Sequence, residues 1–210
     1  PVERASAIAT IVTGANPSDH GIVGNQWLSR KTLQPIGCDE DSQYGYSPKN
    51  IISTTIGDEL KIATEGQAVV YSVAPYHDAA ILSAGHAADG AIWIDDNGIW
   101  GTSEYYGKKT PKWIKAFSDT NPPKPLNSKD YPSVNTSITD MALQCFRCTS
   151  MGTDNKPDIL NITYYAGNAN NEKTTQWQSG LQFIYTNLDK NLDRLISSIE
   201  KNLGKNNVLF

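Results

Sequence analysis

Ala68-Val69-Val70-Tyr71-Ser72-Val73, followed by Asp78 to Ala88 and then by Gly90-Ala91-Ile92-Trp93-Ile94-Asp95, decides the fold. The first run is largely apolar and of strand length, as expected for a sheet covered on both faces. Asp78 to Ala88 suits a helix, and the run from Gly90 returns to strand character. Just beyond, Asp96-Asn97-Gly98 separates that run from Ile99-Trp100-Gly101-Thr102-Ser103. Two apolar runs flanking Asn-Gly predict a β-hairpin, because this pair tolerates the positive φ angles of a tight turn.

Upstream, Ala5 to Thr13 is small and apolar and predicts a short buried helix stopped by Gly14. Asn16-Pro17-Ser18-Asp19 reads as a turn, since the residue before proline is pushed out of the helical region. Ile51 to Thr64 carries apolar residues near helical spacing, with Pro48 placed for a first turn. Downstream, Pro111 to Phe117 predicts a short amphipathic helix, and Val134 to Met151 a longer one capped by Asn135 or Ser137. Asp158 to Tyr165 reads as a strand. Thr175 to Leu203 gives the clearest helix, with Leu181, Tyr185, Leu188, Leu192, Leu195, Ile199 and Leu203 on one face and Gly204 as its stop. Strands alternating with helices specify an α/β fold with a largely parallel sheet.

The polar, proline-rich stretch from Thr120 to Lys129 divides this pattern into an N-terminal part, 1–118, a linker, 119–133, and a C-terminal part, 134–210. The first residues, Pro1-Val2-Glu3-Arg4, bring no leading strand, and Val208-Leu209-Phe210 reads as the start of a buried strand, so the chain is expected to be incomplete at both ends. At 210 residues and 39% hydrophobic content it is long and apolar enough for a sizeable core. No run approaches the roughly 18 apolar residues of a membrane span. A net charge of −4 and a pI near 5.3 leave no electrostatic footprint for nucleic acid.

Few residues suggest chemistry. Cys145-Phe146-Arg147-Cys148 is a lone C-x-x-C inside a helical pattern; without a second pair it cannot complete a four-ligand zinc site, and packing explains it better than redox or metal chemistry. His20, His77 and His86 form no H-x-x-x-H or H-x-E pairing, and Asp19-His20 reads as a structural histidine beside a turn. Asn135-Thr136-Ser137 and Asn161-Ile162-Thr163 match a glycosylation pattern by chance, the second within a strand.

The segment from Ile11 to Asn25, with Thr13-Gly14, Pro17, His20-Gly21-Ile22 and Gly24-Asn25, resembles the alkaline phosphatase superfamily, in its type I phosphodiesterase and nucleotide pyrophosphatase branch. Ser47-Pro48-Lys49-Asn50, Thr55 to Lys61, Ala79 to Leu82 with Ala84-Gly85-His86-Ala87-Ala88, and Leu188 to Leu192 are similar to the same bacterial group. The resemblance implies a three-layer αβα sandwich around a mostly parallel sheet with a small β-hairpin. It also implies export to the periplasm or cell envelope. In that family two zinc ions held by Asp and His clamp the attacking and leaving oxygens, and a Thr or Ser at a helix start is the nucleophile.

Carried over position by position, the resemblance puts Arg4 where the nucleophile stands, with Ser6 the only hydroxyl nearby. A metal-binding Asp and His fall on Tyr164 and Asn168, poor zinc ligands. The Lys and Arg that contact substrate fall on Tyr76 and Asp78; the substrate-contacting amide is retained as Asn25. The expectation is a non-catalytic relative, with no cofactor, that binds a protein or a small phosphorylated ligand, Arg4 offering a cation. The alternative is an active metal-dependent phosphomonoesterase or phosphodiesterase with a rearranged site, which would need zinc.

Overall fold

A computed structural model of the chain describes residues 3–123, 131–166 and 177–210. Helix α1 (Arg4–Thr13) and the single-turn α2 (Pro17–His20) come first. Strands β1 (Gln26–Leu28) and β2 (Pro35–Gly37) pair as one antiparallel hairpin, and β3 (Glu40–Asp41) and β4 (Gly45–Tyr46) as another. Then follow α3 (Ile56–Ala63), β5 (Val70–Ala74), α4 (His77–Ala84), β6 (Gly90–Ile94) and β7 (Trp100–Thr102). Helices α5 (Lys112–Thr120) and α6 (Tyr131–Cys148), strand β8 (Ile159–Ile162) and helix α7 (Trp177–Leu203) complete the order.

The main sheet has the order β7-β6-β5-β8. Strand β5 lies parallel to β6 and to β8, and β7 turns back antiparallel through Asn97-Gly98, as the hairpin signal predicts. Tyr71 sits opposite Gly90, where a β-carbon would stand 2.6 Å from the Tyr71 ring, so glycine is the residue that lets the two strands close. Tyr71, Val73, Ile92 and Ile94 share a core with Ile114, Ile138, Met141, Leu195 and Ile199 from α5, α6 and α7. The opposite face presents Ala74, Ala91 and Trp93 to Ala79, Ala80, Ile81 and Ala84 of α4, while Ala5 and Ala9 of α1 pack with Leu82. The result is the αβα sandwich, with one core joining residues from both sides of the proline-rich stretch. Burying each large aliphatic residue contributes about 1.5–3 kcal/mol.

Several boundaries differ from the sequence expectation. Helix α1 ends as predicted, with Gly14 left-handed at φ 67° and its N–H bonded to Thr10 O. Helix α3 starts at Ile56 rather than Ile51: Thr55 and Asp58 form a reciprocal capping box, and the Ile51 N–H closes a turn onto Pro48 O. Helix α4 stops at Ala84, four residues early, because Gly85 adopts φ 79° and ψ −162°, a region essentially closed to other residues.

Helix α6 begins at Tyr131, so neither Asn135 nor Ser137 is its N-cap. Asn135 is fully buried within the helix, donating to Tyr165 O and accepting from Tyr165 N–H, each at 2.8 Å. Helix α7 stops at Gly204 (φ 84°) as expected; of its predicted face, Leu195 and Ile199 are buried, whereas Tyr185 is exposed. Val208 is extended, but Leu209 is 97% exposed, so this run is not buried as predicted. The hairpins β1–β2 and β3–β4 were not expected. Of the linker, α5 takes 119–120 and α6 takes 131–133, while 124–130 lie outside the described residues.

Candidate functional site

The parallel strands present their carboxyl ends to one edge of the sheet, and there α4 begins. After β5 come Pro75 and Tyr76, then His77 and Asp78 in the first turn of α4. Arg4, in the first turn of α1, reaches across: its Nε and Nη2 donate to Asp78 Oδ2 at 3.0 and 2.8 Å. Asp78 Oδ1 accepts the Ala79 N–H at 2.8 Å, so both oxygens of a nearly buried carboxylate are used. The Arg4 guanidinium also lies 4.1 Å from the centre of the Tyr76 ring, a cation–π contact.

Asn25 arrives from the loop before β1. Its Oδ1 accepts the Ala5 N–H at 3.0 Å, satisfying one of the free amides in the first turn of α1. Its own N–H donates to Glu3 at 2.6 Å. The structure therefore brings Arg4, Asn25, Tyr76 and Asp78 together, although their sequence separation reaches 74 residues. Ser6 is buried in α1, 6% exposed. Tyr164 follows β8 at the same edge but turns toward the α6 layer, its hydroxyl 2.9 Å from Thr139 Oγ1. Burial raises the Tyr164 pKa, with Thr139 and Arg194 opposing. Asn168 lies outside the described residues.

Zinc needs several unengaged carboxylate, imidazole or thiolate donors within about 2.3 Å of one point. Here Arg4 has no lone pair to give, Asp78 is consumed by Arg4 and Ala79, and the Tyr164 phenol is held protonated by burial. Among the described residues no group of three His, Cys, Asp or Glu side chains converges as a metal site. At these positions Arg4, Asp78 and Tyr164 offer a metal ion no unengaged donor.

The histidines have sharply defined partners. His20 is fully buried, with Nε2 3.1 Å from Thr10 Oγ1 and Nδ1 accepting the Ile22 N–H at 3.1 Å, the structural role the sequence suggested. Burial lowers its pKa. His86 places Nδ1 3.2 Å from Asp58 Oδ2 and Nε2 3.1 Å from Ile51 O. His77 places Nδ1 2.6 Å from Asp39 Oδ2, its ring stacked 4.2 Å from Tyr46. Burial pulls the His77 pKa down, but the hydrogen bond and charge of Asp39 outweigh it and the net shift is upward. No pairing was visible in sequence because Asp39 and His77 are 38 residues apart. The His-Asp succession at 77–78, after a strand and opening a helix, was the signal available.

All three cysteines are free. Burial pushes the thiols of Cys38 and Cys145 up, with Asp39 adding to the effect at Cys38, so neither is poised as a thiolate. Cys145 packs in the core as expected, but Cys148 is exposed at the last residue of α6 rather than deep within it.

The cluster sits at the carboxyl edge of the sheet of an α/β sandwich. The sequence profile of the type I phosphodiesterase / nucleotide pyrophosphatase family matches residues 1–210, and the chain belongs to that family. Alkaline phosphatase PafA of Elizabethkingia meningoseptica is 29% identical over the whole chain, which covers 50% of that protein. Alkaline phosphatase PhoV of Synechococcus elongatus is 34% identical, over 62% of this chain and 26% of its own. A crystal structure of wild-type PafA superposes with a TM-score of 0.88 at 26% identity, over 99% of this chain and 52% of that one. The chain thus spans about half the length of the relative it matches throughout.

Proposed function

We propose that this chain keeps the scaffold of the phosphatase family but not its two-metal phosphoester hydrolysis, and acts by binding a protein or a small phosphorylated ligand. The observation that carries the reading is the Arg4–Asp78 pair. Where the resemblance calls for a hydroxyl nucleophile there is a guanidinium, and where it calls for a substrate-binding cation there is a carboxylate that neutralises it. The burial of Ser6 argues against that residue as a replacement nucleophile. The pairing also changes what Arg4 offers a ligand: Nε and one N–H of Nη2 are spent on Asp78, while Nη1 has no partner among the described residues.

By resemblance the protein works in the periplasm or cell envelope, and no described helix is long and apolar enough to cross a membrane. The test is metal content together with turnover on the purified chain and on any longer protein that contains it. The reading expects no stoichiometric zinc and no hydrolysis of p-nitrophenyl phosphate esters with zinc added. About two tightly held zinc ions with chelator-sensitive turnover would overturn it.

A further inference from the structure

The three histidines fall into two kinds. His20 and His86 each have both ring nitrogens engaged, at 3.1 to 3.2 Å. His77 has only Nδ1 engaged, and its Nε2 has no partner among the described residues. The imidazole side chain is 42% exposed while the Asp39 carboxylate that holds it is 2% exposed. Tyr46 stacks on the ring at an interplanar angle of 26°. The ring is fixed at one nitrogen and one face, and its second nitrogen is left open.

Asp39 favours the charged ring, and in the neutral ring it selects the tautomer with the proton on Nδ1, so that once the ring loses a proton the lone pair stands on Nε2. If Nε2 acquires a substituent the ring becomes cationic, and the buried Asp39 stabilises that charge where it forms. His77 lies between Tyr76 and Asp78, the two residues that hold Arg4, and the Arg4 charge is close enough to act on the His77 ring. The arrangement has the parts of an activated nucleophile: an attacking atom, an orienting carboxylate and a nearby cation.

We propose that His77 Nε2 accepts a phosphoryl group from a small activated phosphate of the acyl phosphate class, forming a phosphohistidine without a metal ion. The Nε2 lone pair attacks phosphorus, the N–P bond forms as the P–O bond to the acyl group breaks, and the carboxylate leaves with the bonding pair. The Nδ1 proton stays in its bond to Asp39, which is a positioning residue. The inference rests on the loss of the two-metal route proposed above.

The experiment incubates the purified chain with acetyl phosphate in the presence of EDTA. Intact mass, peptide mapping and phosphorus NMR then read the product. The expected result is one acid-labile, alkali-stable phosphoryl group on His77, formed at least about tenfold faster than on N-acetylhistidine. His20 and His86 serve as internal controls and stay unlabelled. His77→Gln abolishes the label, and Asp39→Asn slows it while thermal unfolding confirms a folded chain. No label, a label that survives His77→Gln, or a rate equal to that of the free amino acid would overturn the proposal. A parallel incubation with zinc in place of EDTA separates the two readings: no label in either arm, on protein that holds no zinc, overturns this inference alone, whereas an acid-stable label on a hydroxyl in the zinc arm overturns the reading beneath it.

Discussion

Toward α5, α6 and α7 the sheet presents Tyr71, Val73, Ile92 and Ile94 to Ile138, Met141 and Leu195; toward α4 it presents Ala74 and Ala91 to Ala79, Ala80 and Ala84, with Ala5 and Ala9 of α1 packed on Leu82 beyond. The first face is filled with bulk, and its buried polar groups Asn135, Thr139 and Asn191 are neutral. The second is built mainly from alanines around Ile81 and Trp93, and the buried carboxylates Asp39, Asp58 and Asp78 all lie on that side. Small side chains bring the starts of α1 and α4 close enough for a charged pair. One face supplies stability by burial; the other gives up bulk to hold charge in fixed positions.

This contrast is broken or sharpened by substitution on each face. Met141→Ala, at a fully buried site among large neighbours, leaves a cavity and is expected to cost about 2–5 kcal/mol in urea unfolding. Ala80→Leu tests the other face by overfilling it, with an expected loss of about 1–3 kcal/mol; a harmless result would mean the alanine packing is loose. Arg4→Ala leaves Asp78 without its cation. Because the Arg4 side chain is 41% exposed and water can enter, the expected loss is smaller, about 1 kcal/mol, with Asp78→Asn partly restoring stability in the double variant.

The smallest effect is the dependence of stability on pH. His86 is faced by Asp58 from α3 and by the Ile51 carbonyl; Lys61 on α3 is paired with Asp89, and Tyr105 and Tyr106 stand near Asp58. The hydrogen bond that His86 donates to Asp58 raises the His86 pKa against burial. Its contribution is therefore complete below pH 6.5 and is lost as pH climbs through the raised folded value. For Asp58, burial acts upward, but hydrogen bonds from His86, Thr55 and Ala87 prevail and hold it at about 2. That contribution is present above pH 3.8 and is lost as pH falls toward about 2. Urea midpoints measured across both windows should flatten on the alkaline side in His86→Gln. An unchanged alkaline slope would show that the pair is not coupled to folding.

Local patterns were legible where local forces decide. Val70–Ala74 is largely apolar and Gly90–Ile94 wholly so, Asn97-Gly98 closes its hairpin, and Gly14 and Gly204 end their helices by the φ angles only glycine adopts readily. The misreadings come from contacts across the chain. Asn135 has the chemistry of a cap, but its amide is recruited by the backbone of Tyr165, 30 residues on. Ile51 and Ile52 extend a helical spacing, yet the Thr55–Asp58 box fixes the start beyond them. The positions Arg4, Asn25, Tyr76 and Asp78 were found through resemblance. That Arg4 and Asp78 bind each other, and that Asp39 holds His77, follows only from the way the two helices and the β3–β4 segment meet.

Asp78 divides its two oxygens between neighbours that belong to different helices: one takes the forked guanidinium of α1, the other secures the backbone at Ala79 in α4. A single side chain thereby acts as a rivet through both. Sliding either helix along the other would break that joint as well as the seam of Ala5 and Ala9 on Leu82, so register between the two is set by a charge and by packing at once.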